Sequence, residues 1–341
     1  MKVRSKVPLR LGLAGGGTDV SPYCDVYGGC ILNATIDLFA YCTLVPTQNG
    51  MITFHALDRD EIFESPVLDN LVTDGLLDLH KGVYNRVIRE FNIDPFAFDM
   101  KTHSDAPSGS GLGSSSTMVV SILQAFVEYL NLPLGEYDIA QLAYSIERED
   151  LALSGGKQDQ YAATFGGFNF MEFYADNRVI VNPLRIREQH IEELEASMML
   201  YYTGMSRSSA KIIEDQKNSL QSSNENRLKA MHQIKSDAYL LKEYLLKGEF
   251  SKMFLTMQDS WAAKKSTSDS ISNSHIDAIY NTALSTGAYS GKISGAGGGG
   301  FMMFFVDPLK RLNIKQALSP FEGEFVNFHF FNKGANSWKI L

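Results

Sequence analysis

Residues 107 to 116 are Pro107-Ser108-Gly109-Ser110-Gly111-Leu112-Gly113-Ser114-Ser115-Ser116, and this run constrains the fold more than any other feature of the chain. Behind it, Val119, Ile122, Leu123, Phe126, Val127 and Leu130 recur at helical spacing, which predicts an amphipathic helix over 114–130. The small residues therefore lead into a helix N-terminus, where amide N–H groups lack intrahelical partners and the dipole end is positive. Gly and Ser leave those amides uncovered, which is the chemistry of a phosphate-binding bend. A Gly-Ser cap is also an ordinary helix start, but eight of these ten residues are Gly or Ser, more than a cap requires.

Two further glycine clusters flank this one: Gly12, Gly15, Gly16 and Gly17 near the start, and Gly295 with Gly297 to Gly300 near the end. Together the three hold 12 of the 28 glycines, a distribution that suggests ligand loops rather than scattered turns. Between them the pattern predicts short strands at 6–13, 30–45 and 51–56, a helix at 80–91, a strand entering Lys101 and a second helix at 137–151. The polar stretch from Asp176 to Glu193 divides this block, residues 1–180, from a second domain at 190–341. That second block carries strands at 198–202, 301–306 and 324–331 around a helical region from about Ser209 to Thr286, so the chain is expected to be α+β. With 341 residues, 44% of them hydrophobic, it can bury a sizeable core in two domains.

Several functions are excluded by what the chain lacks. The formal net charge of -8 provides no global field for duplex nucleic acid or an anionic membrane, so any polyanion must be met by a local site. Three cysteines without a Cys-x-x-Cys pair support neither a disulfide framework nor structural zinc. The apolar stretch behind Met1 is broken by Pro8 and Arg10, and the run Phe301 to Val306 is too short for a bilayer, so a reduced, cytoplasmic protein without a membrane partner is expected. Neither Gly-Lys pair, at Lys157 or Lys292, is followed by Ser or Thr, which rules out a Walker loop. Gly295 to Gly300 spells a dinucleotide fingerprint, but a strand-like run follows where a helix is required.

Three segments in order resemble one family. Lys6 to Arg10 with Gly15-Gly16-Gly17-Thr18-Asp19, then Pro107 to Ser116, then Lys292 to Gly299 are similar to the three motifs of the galactokinase, homoserine kinase, mevalonate kinase and phosphomevalonate kinase (GHMP) superfamily. The first motif departs from galactokinase, with Gly16 and Gly17 where a Glu-His pair stands, and is more similar to the heptose phosphate kinase and fucokinase branches. The resemblance implies an N-terminal α/β domain like the second domain of ribosomal protein S5 and a ferredoxin-like C-terminal domain. It further implies ATP- and magnesium-dependent phosphorylation of a small-molecule sugar or sugar phosphate, foremost a heptose phosphate on the way to nucleotide-activated heptose. A kinase of a free hexose, and a regulator that binds without catalysing, remain open alternatives, as does a homodimer.

Site residues follow from the same resemblance. ATP would lie on Pro107, Ser108, Gly109, Ser110, Gly111, Leu112, Gly113, Ser114, Ser115 and Ser116. Asp159 matches the catalytic base and Arg10 the basic residue of the first motif, a permanent cation able to stabilise a carboxylate and attract the γ-phosphate. Glu147, twelve residues before Asp159, would bind magnesium with Ser114 or Ser115. Gly17, Thr18, Asp19, Gly297 and Gly298 would contact the sugar; apart from the resemblance, the hydroxyls, Arg207 and Lys211 at the strand-to-helix junction of 202–211 suit a second anion, so Arg207 is expected to hold a phosphate already present on the sugar.

Overall fold

The computed structural model describes residues 1–205, 212–214 and 225–340. Its first half is a sheet built around a long strand. Strand β2 (Gly29–Pro46) pairs along one edge with β1 (Lys2–Ala14). Along its other edge it pairs with β6 (Phe168–Phe173) through its first residues and with β5 (Phe98–Ser104) through its last. The hairpin β3 (Met51–Ala56) and β4 (Glu61–Pro66) joins β5 in parallel, and β7 (Val179–Pro183) pairs β6. Beyond α1 (Tyr23–Tyr27), three helices bear on this half: α2 (Asp78–Glu90), α3 (Ser114–Leu130) and α4 (Glu136–Ser145). Val83 and Val87 of α2 and Val119, Ile122 and Phe126 of α3 pack with Ile52, Phe98 and Met100 of the sheet in one buried cluster. Helix α3 spans the 17 residues its periodicity predicts, because its apolar face has a sheet to bury itself against. Helix α4 stops earlier than the predicted 137–151 and continues as a π-helical turn, Ile146–Asp150, which carries Glu147. Helix α5 (Gln158–Phe165) follows.

Past α6 (Glu188–Ala196), the second sheet runs β11 (Glu324–Val326), β8 (Met198–Tyr202), β10 (Phe301–Val306), β9 (Ala288–Ile293), all antiparallel. Every residue of β10 is buried, since Phe301, Met303 and Phe305 enter the core shared with Leu9, Leu11 and Leu13 of β1, while Met302 and Phe304 face a second cluster with Trp261 and Ile279. Its continuous apolar run is thus a strand covered on both faces. Helices α7 (Glu225–Lys247), α8 (Phe250–Thr267) and α9 (Ser274–Thr286) precede this sheet's last strands, and α10 (Arg311–Leu318) follows β10. The chain then returns: β12 (Asn336–Ile340) pairs antiparallel with β1 at the edge of the first sheet. That strand, like β4, has too mixed a composition to stand out in the sequence, and the predicted strand at 324–331 shortens to three residues. Among the described residues no helix is long and apolar enough to cross a membrane.

Candidate active site

A cavity of about 440 Å³ opens where the end of β1, the bend before α3, the start of α5, helix α8 and the loop after β9 meet. The bend and that last loop are joined by backbone: Phe301 N donates to Ser110 O at 2.8 Å, and Gly111 lies so close that a Cβ there would sit 2.2 Å from Ser294 O. Gly111 also holds φ at +82°, so both sterics and backbone exclude a side chain. No side chain caps α3, which leaves its first amides facing the cavity beside Ser114, Ser115 and Ser116.

Arg10 sits on β1 between Leu9 and Leu11, which enter the core, so strand alternation turns its guanidinium the other way. There Nε donates to Asp159 Oδ1 at 2.7 Å and the terminal Nη1 donates to Gly111 O at 2.6 Å. Arg10 is 2% exposed, whereas the Asp159 side chain keeps 24% exposure, so the carboxylate is held from behind and open to the cavity in front. Asp159 lies in the first turn of α5, and that turn is fixed by Asp19. Asp19 Oδ2 accepts from the amides of Lys157 at 2.9 Å and Gln158 at 3.0 Å, an N-terminal cap supplied from a distant segment. Gly156 makes room for it, since a Cβ there would meet Asp19 Oδ2 at 2.0 Å. Burial pushes the Asp19 carboxyl above its ordinary value, the amide from Gln158 opposing and the charge of Asp159 adding to the rise.

Glu147 is 2% exposed and accepts from Ser116 Oγ at 3.1 Å and from Gln160 Nε2, with Arg148 Nη1 3.8 Å away. Burial raises its carboxyl above the usual range, with Arg148 the largest opposing influence. The serine beside it is therefore Ser116. Ser114 Oγ donates to Pro107 O at 3.1 Å, and Ser115 Oγ lies 3.3 Å from Ser108 Oγ, though both residues line the cavity.

The family model for the GHMP kinases N terminal domain matches residues 78–167, and that for the GHMP kinases C terminal matches residues 241–323. A D-glycero-alpha-D-manno-heptose 7-phosphate kinase of Campylobacter jejuni is 52% identical over 338 residues, 99% of each chain. The chain belongs to the GHMP kinase family. A crystal structure of a D-glycero-D-manno-heptose 1-phosphate kinase from Bacteroides thetaiotaomicron superposes with a TM-score of 0.85 at 47% identity, covering 99% of each chain. A galactokinase of Pyrococcus furiosus is 26% identical over 93% of this chain and 92% of its own. The two-domain GHMP kinase fold expected from the three motifs is the fold observed.

Of the residues that sequence motifs single out, the structure brings Arg10, Gly17, Asp19, Ser108, Gly109, Gly111, Gly113 to Ser116, Glu147 and Asp159 to one cavity. Others fall elsewhere. Thr18 is fully buried, its hydroxyl donating to Gly15 O and Cys30 O and accepting from Cys30 N, so the expected sugar contact is corrected to a loop clamp. Gly297 and Gly298 pack against Ile271, with Gly298 N donating to Ile271 O at 2.8 Å, and the cavity is instead lined by Gly295 and Ala296. Leu112 belongs to the core, and Ser110 is buried with its carbonyl taken by Phe301. Pro107 turns the bend, its carbonyl accepting from Ser110 N. Arg207 lies outside the described residues.

Sequence motifs missed Arg148, Gln158 and Lys264, which also line the cavity. Lys264 has no motif around it and Lys292 only opens the third motif without a role assigned to it, and it is the fold that carries both amines to the end of β1. Lys264 Nζ donates to Gly16 O at 2.8 Å, and Lys292 Nζ to Gly12 O at 2.9 Å. Burial lowers Lys264 to about 8, against the pull of Asp19, and lowers Lys292 to about 7, reinforced by Lys264 and Arg10.

Proposed function

We propose that the chain transfers the γ-phosphoryl group of ATP to a hydroxyl of a D-glycero-D-manno-heptose phosphate in the cytoplasm. The observation that carries this reading is the Arg10–Asp159 pair, held at 2.7 Å beside an uncapped helix N-terminus in one cavity. The Gly-Ser bend and the first amides of α3 bind the triphosphate tail. Asp159 accepts the proton of the attacking sugar hydroxyl as its oxygen bonds to the γ-phosphorus and the bridge to ADP breaks. Arg10 orients that carboxylate and offsets charge on the transferring group. Asp19 keeps α5, and hence Asp159, in register, through the amides of Lys157 and Gln158.

The oxygens of Glu147, Ser115 and Ser116 suit magnesium, a hard cation that one or two protein oxygens and phosphate satisfy. A buried carboxylate whose proton affinity is raised fits such a partner well. Magnesium would neutralise phosphate charge there; Glu147, positioned by Gln160 and Ser116, would hold it.

The relatives' names supply the sugar: one is named for heptose 7-phosphate and the other for heptose 1-phosphate. An ATP-consumption assay against both esters, free heptose, fucose and galactose tests the reading. Turnover of heptose 7-phosphate at least about tenfold above the free sugars is expected; preference for a free hexose would replace the substrate, and no turnover with any sugar would favour a binding protein.

A further inference from the structure

Among the described residues three cations line the cavity: Arg10, Arg148 and Lys264. Arg10 is answered by Asp159 at 2.6 Å. Arg148 has Glu147 at 3.8 Å and donates to the carbonyls of Leu153 and Gly156. Lys264 is different. It reaches from α8, is 7% exposed, and donates to Gly16 O, while among the described residues no carboxylate lies within ion-pairing distance of its amine. Among the described residues the negative charge that acts on it is Asp19, whose Oδ2 is already engaged by two amides. Lys292 brings a second amine to the same end of β1, on Gly12 O and Leu13 O. Burial is the main cause of the lowered proton affinity of both amines, with Lys264 and Arg10 adding to it at Lys292 and Asp19 opposing it at Lys264.

We propose that Lys264 binds the phosphate that the sugar already carries and so makes the chain prefer a sugar phosphate over the free sugar. This rests on the heptose phosphate reading above. Gly16, which accepts from Lys264, adjoins Gly17 and Asp19 on the wall formed after β1, whereas the nucleotide bend comes from the β5–α3 connection. An anion at Lys264 therefore belongs to the acceptor, not to the triphosphate tail. A buried ammonium meeting a phosphate oxygen forms a charge-assisted hydrogen bond, among the stronger polar contacts a site can offer.

Calorimetric titration of the full chain with D-glycero-D-manno-heptose 7-phosphate and with free heptose, in the wild type and in Lys264→Met, tests this. The wild type is expected to bind the ester about tenfold or more tightly than the free sugar. Lys264→Met should bind both alike, Lys264→Arg should recover part of the preference, and ATP affinity should be equal in all three. Retention of the wild-type preference by Lys264→Met overturns the assignment, as does an accompanying loss of ATP affinity, which would place the amine on the nucleotide. If the wild type binds neither sugar, the functional reading fails by itself and inorganic phosphate judges the residue. A phosphate-dependent rise in Tm present in the wild type and absent in Lys264→Met supports the anion site; equal rises in both refute it.

Discussion

The cavity has two unlike walls. On the wall built by the first half of the chain, charges are met at close range: Arg10 by Asp159, and Glu147 by Ser116, Gln160 and Arg148. On the side reached by the second half, the amines of Lys264 and Lys292 hydrogen-bond only to carbonyl oxygens among the described residues. On the proposed reading, the first arrangement keeps Asp159 as base and Glu147 as metal-binding carboxylate oriented before substrate arrives, which is what phosphoryl transfer requires of a protein. The second leaves positive charge to be answered by a ligand. If both proposals hold, the contrast separates residues that act on the reaction from residues that select the acceptor.

The sharpest break in that contrast is Asp159→Asn. Losing the proton acceptor should lower kcat by about 10³-fold while ATP affinity stays near wild type, as measured by steady-state kinetics and nucleotide titration. Turnover within a few-fold of wild type would remove Asp159 from its role. Glu147→Gln should cost roughly 10²-fold in kcat and raise the magnesium concentration needed for half-maximal rate. An unchanged magnesium requirement would show that the buried carboxylate serves packing alone.

Gly111→Ala probes the joint between the walls. Its Cβ would press on Ser294 O at 2.2 Å in a backbone conformation unfavourable for alanine, so denaturant unfolding should show a loss of about 2 kcal/mol or more. A variant as stable as wild type would mean that the two loops part easily.

The smallest effect concerns Lys292. Its amine is held near 7 in the folded chain and returns to the ordinary lysine value on unfolding, so between these pH values the unfolded chain binds more protons. Stability therefore rises with pH across that window and is lost as pH falls through about 7. Lys292→Met should lack this rise, so the stability difference between wild type and variant should shift in favour of wild type from pH 7 to 9.5, measured by denaturant unfolding. Parallel pH profiles would place the amine in a solvated setting.

Much of the first wall was legible in the chain itself. The Gly-Ser bend and the periodicity of α3 are local, and local features survive without knowledge of the fold. Asp159, Arg10 and Glu147 could be matched to motifs, and all three line the cavity. Thr18 shows where the motif misled: its letter suits a sugar contact, yet the close pairing of the loop with Cys30 consumes its hydroxyl. Gly297 and Gly298 likewise take up a contact with Ile271 that no spacing reveals.

The amino-acid order alone determined that a Gly-Ser bend leads into a buried helix, that a carboxylate and a cation belong to the same family motifs, and that the chain is a mixed α and β protein in two blocks. Only the tertiary structure decided that Asp19 caps α5 across 138 residues of sequence, that β12 returns to close the first sheet, and that Lys264 projects into the cavity beside Gly16. The division has a physical cause. Periodicity and glycine content act over a few residues, whereas the direction of a lysine on a charged helix depends on which wall that helix is packed against.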